Sequence, residues 1–352
     1  MRLERRTTVA PLALLLAPVG AVAFTLAVST LLVLWAGAPV GPTWAAVVRG
    51  GFGSLFAWSE TLTRATPLIL TGLAAALAFR ARLWNIGAEG QLYAGALAAV
   101  AVAGLAGEGS NLPVPLLAIG MFLAAAAAGA VLLLGPALCK AKLGVDEVVT
   151  TLLLNFIVLL GVSALLDGPM KDPLSLGWPQ SIAIPVELEL SRLVEGSRVH
   201  SGLVGAIVLA VACWIVLRFS VFGFDVRALG ANPRAAAFAG VRPLRTLAWV
   251  AVLSGGLAGL AGAVEVAGRA GYVTLDMSPG YGYAGIVIAM LAGLHPLGVV
   301  AAAIFVAGVQ VGADSMSRVV GVPTYIADVI VSASLVAVLV ATLLAQHRVR
   351  FR

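Results

Sequence analysis

Asn85, Glu89 and Gln91 fall in one short stretch, Arg80–Gln91, between the apolar runs Pro67–Phe79 and Leu92–Leu105. Two amides and a carboxylate at this spacing offer hydrogen-bond donors and acceptors, the chemistry of holding a polar group. Gly87 and Gly90 between them let the backbone bend and pack closely. Unpaired polar groups at membrane depth are costly, so such an interruption needs a reason. Two readings stand at this point: a broken helix at a transport pathway, or a short loop between helices in which Asn85 is a cap.

The elements that must position these residues are membrane helices. The chain is 61% hydrophobic and 11% charged, against about a quarter charged in soluble proteins, and its mean hydropathy is +1.05. Apolar segments of about twenty residues recur throughout, which makes this an all-α polytopic membrane protein. Ten spans are expected, at 11–36, 61–79, 89–106, 114–135, 146–167, 201–218, 246–265, 282–294, 296–312 and 324–345. The eighth and ninth read as short, broken at Gly293-Leu294-His295-Pro296, and the third begins at the polar interruption. The first is too long for a secretory h-region. Cys139 and Cys213 form no disulfide framework or metal pattern, and His200, His295 and His347 are far apart. A membrane-embedded enzyme therefore lacks its constellation.

Lys and Arg set the orientation. With both termini in the cytoplasm, fifteen of the 22 basic residues fall on the cytoplasmic side, from Arg2, Arg5 and Arg6 to Arg348, Arg350 and Arg352. The net charge of +6 is mostly this topology signal. Gly90-Gln91-Leu92-Tyr93-Ala94-Gly95 is echoed by Gly280-Tyr281-Gly282-Tyr283-Ala284-Gly285. In this topology the echo joins spans 2–5 to spans 7–10 as an inverted repeat, a common transporter plan. The expected plan is one transmembrane domain, 1–352. A first helix and interfacial segment occupy 1–60, with repeats at 61–167 and 246–345, an extracytoplasmic loop at 168–200 and a cytoplasmic loop at 218–245.

That cytoplasmic loop contains Gly230, Asn232, Pro233, Ala236, Phe238 and Gly240. Asn232 can cap a two-turn helix with Pro233 at its first position, and Gly240 can end it. Small residues around one aromatic knob suit insertion into a groove on a partner protein; a connecting helix on the membrane surface is the plainer reading.

Arg80–Gln91, Asp146–Asn155, and Leu229–Pro233 with Ala236 and Gly240 together resemble the permease subunits of bacterial ATP-binding cassette (ABC) importers for nucleosides and simple sugars. Ribose and branched-chain amino-acid permeases are more distant relatives of that group. The resemblance runs from about Leu55 to Ala345. It implies an all-helical permease that pairs with a second, similar or identical one. A cytoplasmic ATPase with two nucleotide-binding domains drives the pair, and an extracytoplasmic binding lipoprotein delivers the solute. The loop at 223–241 becomes the coupling helix, and ATP and magnesium belong to the partner, with no cofactor on this chain. The residues agree on one point: Lys140, Lys142 and Lys171 follow Cys139, Ala141 and Met170, so no Gly-Lys-Ser/Thr phosphate loop is present.

A neutral solute rich in hydrogen-bonding groups suits a pathway of amides, hydroxyls and aromatic faces. The candidate lining residues are Asn85, Glu89, Gln91, Tyr93, Asn155, Tyr281 and Tyr283. An ion-coupled secondary transporter is the alternative, with Glu89, Glu265 and Asp328 as coupling sites. Within the importer class, ribose, galactofuranose and branched-chain amino acids are alternative solutes. Among the charges, Asp146 and Glu147 suit a helix N-terminus, Glu265 and Arg269 pair one turn apart, and Asp328 needs protein or water beside it.

Overall fold

The computed structural model describes residues 2–5, 11–106, 112–321 and 347–350, with isolated positions between 329 and 341. Twelve helices follow in order: α1 (Pro11–Trp35), α2 (Val40–Phe52), α3 (Leu55–Arg80), α4 (Ala88–Ala103), α5 (Val114–Leu143), α6 (Glu147–Asp167), α7 (Gly202–Phe219), α8 (Val221–Ala231), α9 (Pro233–Phe238), α10 (Pro243–Glu265), α11 (Tyr281–Leu291) and α12 (Pro296–Val320). α10 continues into a π-helical turn, Val266–Ala270. The chain ends, β1 (Arg2–Arg5) and β2 (His347–Arg350), pair antiparallel.

Among the described residues, 6 helices are long and apolar enough to cross a bilayer: α3, α5, α6, α7, α10 with its π turn, and α12. The ten expected spans are not reached. α4 and α11 have 16 and 11 residues, short of the roughly 20 a crossing needs. The expected last span, with Asp328, lies outside the described residues. The ninth span is corrected: α12 is 25 residues long and continues to Val320 through Asp314, Ser315 and Arg318. Those polar residues end an apolar run in the sequence without ending the helix.

The chain divides into two compact units. In the unit of 1–61 and 305–352, α2 lays Val47 and Gly51 against Gly312 and Gly308 of α12. Trp44 Nε1 donates to Thr30 Oγ1 of α1 at 3.1 Å, and Val33, Ala46, Ala313 and Met316 form the core between them. The segment expected at the interface is thus partly packed within protein.

In the unit of 62–304, α4, α5 and α10 meet through glycine. A methyl on Gly95 would lie 2.6 Å from Gly259 Cα, so these backbones approach as only small residues allow. Asp146 caps α6 by accepting from Val148 N at 2.8 Å, as its place before an apolar run implies. The 168–200 loop is pinned by its backbone: Ser181 N donates to Val273 O at 3.0 Å, Ile184 N to Gly271 O at 2.8 Å and Leu190 N to Ala267 O at 2.8 Å. His200 at its end packs against Gly268 of the π turn, and burial pushes its imidazole down to about 4.

Candidate functional site

After α3 ends at Arg80 the chain turns back between helices instead of remaining outside them. Leu83 is fully buried, and Asn85 Nδ2 donates to Ser254 Oγ at 3.2 Å, eleven residues into α10 and therefore about 16 Å from its start. α4 begins at that depth. The segment after the π turn does the same from the opposite end, and α11 begins beside the middle of α3, where Thr71 Oγ1 donates to Tyr281 O at 2.9 Å. The two short helices meet N-terminus to N-terminus: Glu89 Oε2 accepts from Gly282 N at 2.6 Å. A carboxylate in the first turn of one helix and bonded to the first turn of another is favoured by both dipoles.

A buried polar network surrounds this junction. Asn85 and Gln91 exchange two side-chain bonds, Asn85 Nδ2 to Gln91 Oε1 at 2.9 Å and Gln91 Nε2 to Asn85 Oδ1 at 2.8 Å. Asn155 Oδ1 accepts from Gly90 N at 2.8 Å, and Asn155 Nδ2 donates to Ile86 O at 2.9 Å and to Tyr283 Oη at 3.2 Å. Tyr93 Oη donates to Leu275 O at 2.6 Å. Tyr281 Oη accepts from Arg269, which also pairs with Glu265. The seven candidate lining residues therefore lie on the re-entrant stretch, the two short helices and the α6 face packed on them, with the Tyr93 and Tyr281 hydroxyls reaching away to Leu275 and Arg269. Six are closed off by their own partners, and Tyr283 alone reaches the surface, at 38% exposed.

The echo between the two short helices is displaced in register. Gly280 is the N-cap of α11, whereas Gly90 is the third residue of α4 and Gly87 is its N-cap. Sequence reasoning did not find Ser254, Thr71 and Thr151, which bond the re-entrant stretch and α11. A lone hydroxyl before Gly255-Gly256 in a span was the available signal for Ser254. Asn155→Leu would orphan Gly90 N and Ile86 O, and buried unpaired groups cost about 1–3 kcal/mol each. The expected loss is on the order of 3 kcal/mol, read as a lower melting temperature of the purified protein. Asn155→Gln, which keeps the amide, should retain part of it.

At the other predicted site, Asn232 Oδ1 caps α9 by accepting from Arg234 N and Ala235 N at 3.0 and 3.2 Å, and Gly240 follows it at φ +91°. Phe238 is 97% exposed, whereas Ala236 is buried at 4%; the outward knob is the aromatic, and Ala236 belongs to the packing beneath. Gly230 of α8 leaves no space beside the Arg80 carbonyl, and Arg80 Nε donates to Leu294 O at 2.9 Å, beyond the end of α11. Lys140 Nζ bonds Glu147 Oε1 at 2.5 Å and also the Arg82 carbonyl.

The family described as the permease component of the branched-chain amino acid transport system matches residues 57–339, with the re-entrant stretch, both short helices and α9 inside the match. The chain belongs to this permease family. The permease is 34% identical over 345 residues to the guanosine ABC transporter permease protein NupP of Bacillus subtilis, covering 96% of this chain and 95% of that protein. It is 37% identical to the glucose ABC transporter permease protein TsgB13 of Haloferax volcanii, over 84% of this chain and 79% of the other. With the nucleoside ABC transporter permease protein NupB of Lactococcus lactis it shares 32% identity, over 80% and 78%. It is a multi-pass membrane protein and a transport component.

Proposed function

We propose that this permease imports a nucleoside across the cytoplasmic membrane as one of two transmembrane subunits of an ABC importer. The carrying observation is the 34% identity to a guanosine permease over 96% of the chain. A separate ATPase holds ATP and magnesium, and an extracytoplasmic binding lipoprotein presents the solute over the 168–200 loop. The 37% identity to a glucose permease favours a simple sugar as the second reading.

Both termini lie in the cytoplasm; the distribution of Lys and Arg supports this, and the pairing of β1 with β2 supports an even number of crossings, ten in this reading. α4 and α11 run apart from a common level, which supports an inverted repeat of 61–167 and 246–345. Tyr283 touches solute at the face turned to the second permease, and Asn155 behind it sets the tyrosine's hydroxyl. Asn85, Glu89, Gln91, Tyr93 and Tyr281 hold the short helices in place. α9 is the coupling helix, with Phe238 as its contact on the ATPase. ATP binding closes the ATPase, α9 carries that motion inward, and the permease alternates between outward and inward access.

Uptake of labelled guanosine and labelled glucose into proteoliposomes carrying the permease, its genomic neighbour permease, ATPase and binding protein tests the reading. ATP-dependent guanosine uptake is the expected outcome. Glucose uptake without guanosine uptake selects the sugar, and uptake driven by an ion gradient without the ATPase overturns the importer itself.

A further inference from the structure

A cavity of about 540 Å³ opens at the start of α10, between α8 and the loop that precedes α10, and is lined by none of the residues of the buried junction. Arg242, Arg245, Thr246, Trp249 and Leu253 line it along one face of α10, and Asp225 of α8 faces them. Their spacing of three, four, seven and eleven residues from Arg242 follows the helical repeat. Neither arginine nor Asp225 has an ion pair among the described residues. Thr246 is 4% exposed, yet its hydroxyl has no partner among the described residues. The N-cap of α10 makes no side-chain bond and Pro243 has no N–H, so the Leu244 and Arg245 amides are the donors left at that end. Two guanidiniums, an unused hydroxyl and uncapped amides around a concave site are the chemistry that binds a phosphate.

The wall beyond that polar end is apolar. Trp249 is 51% exposed and Leu253 42%, about 10 and 16 Å along the axis from Arg242 at 1.5 Å per residue. A candidate membrane span begins at Pro243, so the cavity starts at the membrane boundary and continues to hydrocarbon depth. A soluble protein or a free anion would fill the polar end and leave the apolar wall uncovered; a molecule with a phosphate head and an acyl tail covers both.

We propose that this cavity is a phospholipid-binding site. The phosphodiester lies between Arg242 and Arg245 with the Thr246 hydroxyl donating to it, and an acyl chain runs along Trp249 and Leu253. Asp225 accepts a hydrogen bond from the headgroup, which selects phosphatidylglycerol or phosphatidylethanolamine over phosphatidylcholine, whose headgroup has no donor.

Native mass spectrometry of the full chain, delipidated in detergent and titrated with each lipid, tests this. Phosphatidylglycerol and phosphatidylethanolamine should bind at least tenfold more tightly than phosphatidylcholine. The pair Arg242→Gln with Arg245→Gln should weaken all three lipids at least tenfold, since each carries the phosphate, and Trp249→Ala should weaken all three as well. Arg218→Gln with Arg234→Gln, outside the cavity, should change nothing. If the paired arginine variant does not fold, Thr246→Val and Asp225→Asn carry the test, the second by admitting phosphatidylcholine. Equal retention by the cavity variants overturns the proposal. So does displacement of the lipid by millimolar glycerol 3-phosphate, which would make it a site for soluble anions. A photo-crosslinker at position 249 that captures protein in place of lipid in native membranes overturns it as well. None of these readouts depends on transport, so failure here leaves the importer reading untouched.

Discussion

Gly282→Ala is expected to unfold the centre of the permease. A methyl on Gly282 would overlap the Glu89 backbone nitrogen and lie 2.6 Å from the Ala88 carbonyl carbon. Both obstacles are backbone, so no side-chain rotation relieves them. To fit the methyl, α4 and α11 must separate, which breaks the bond from Gly282 N to Glu89 and strains that from Thr71 to Tyr281 O. Overpacking of a tight core costs about 1–3 kcal/mol, and a bond to a charged group contributes about 1.5–3 kcal/mol. The combined loss is on the order of 4 kcal/mol, enough to abolish accumulation in the membrane. Thermal melting in detergent measures it, with Gly205→Ala in α7 as the control, because a methyl there meets nothing within 4 Å. Equal melting of the two variants would refute the contact between the helix ends.

The second large effect concerns Phe238. It projects from α9 almost fully exposed, so its whole ring is open to a groove on a partner. On the proposed function that partner is the ATPase, and a central aromatic anchor contributes about 2–4 kcal/mol to an interface. Phe238→Ala should therefore weaken ATPase association roughly 30- to 1,000-fold and reduce ATP-driven uptake correspondingly, while melting stays within about 0.5 kcal/mol of the parent because the site is exposed. Co-purification of the ATPase and uptake in the same membranes measure both. Ala236→Glu is the poorer probe: its side chain is buried, so a charge there disturbs the loop before it reaches any partner. Retained ATPase binding by Phe238→Ala would remove α9 from the coupling role.

The long helices were legible because a crossing helix needs some twenty apolar residues, and that requirement is written locally. The shortness of the third and eighth helices was legible for the same reason, through Gly87, Gly90 and Gly293-Leu294-His295-Pro296. α12 was misjudged because Asp314 and Arg318 lower the hydropathy of a helix that nonetheless continues. The candidate polar residues were visible as types, but their partners were not. Asn155 meets Ile86 and Tyr283 across 69 and 128 residues, and Ser254 meets Asn85 across 169; such bonds follow from the packing of helices and leave no local pattern. In the same way, Tyr281 and Tyr283 look alike in sequence, yet one is fully buried and the other opens to the surface, because they lie on different sides of a helix of only three turns.

The contact between Gly230 and Arg80 has a mechanical consequence. With no gap between α8 and the end of α3, and with the Arg80 guanidinium holding the Leu294 carbonyl, three parts of the chain share one joint without free play. Packed interiors compress very little, so a displacement of α8 is not absorbed where it begins; it must shift the start of the re-entrant stretch and the foot of α11 together. A looser residue pair at that point would act as a worn bearing, with part of each stroke lost before it reached the middle of the membrane.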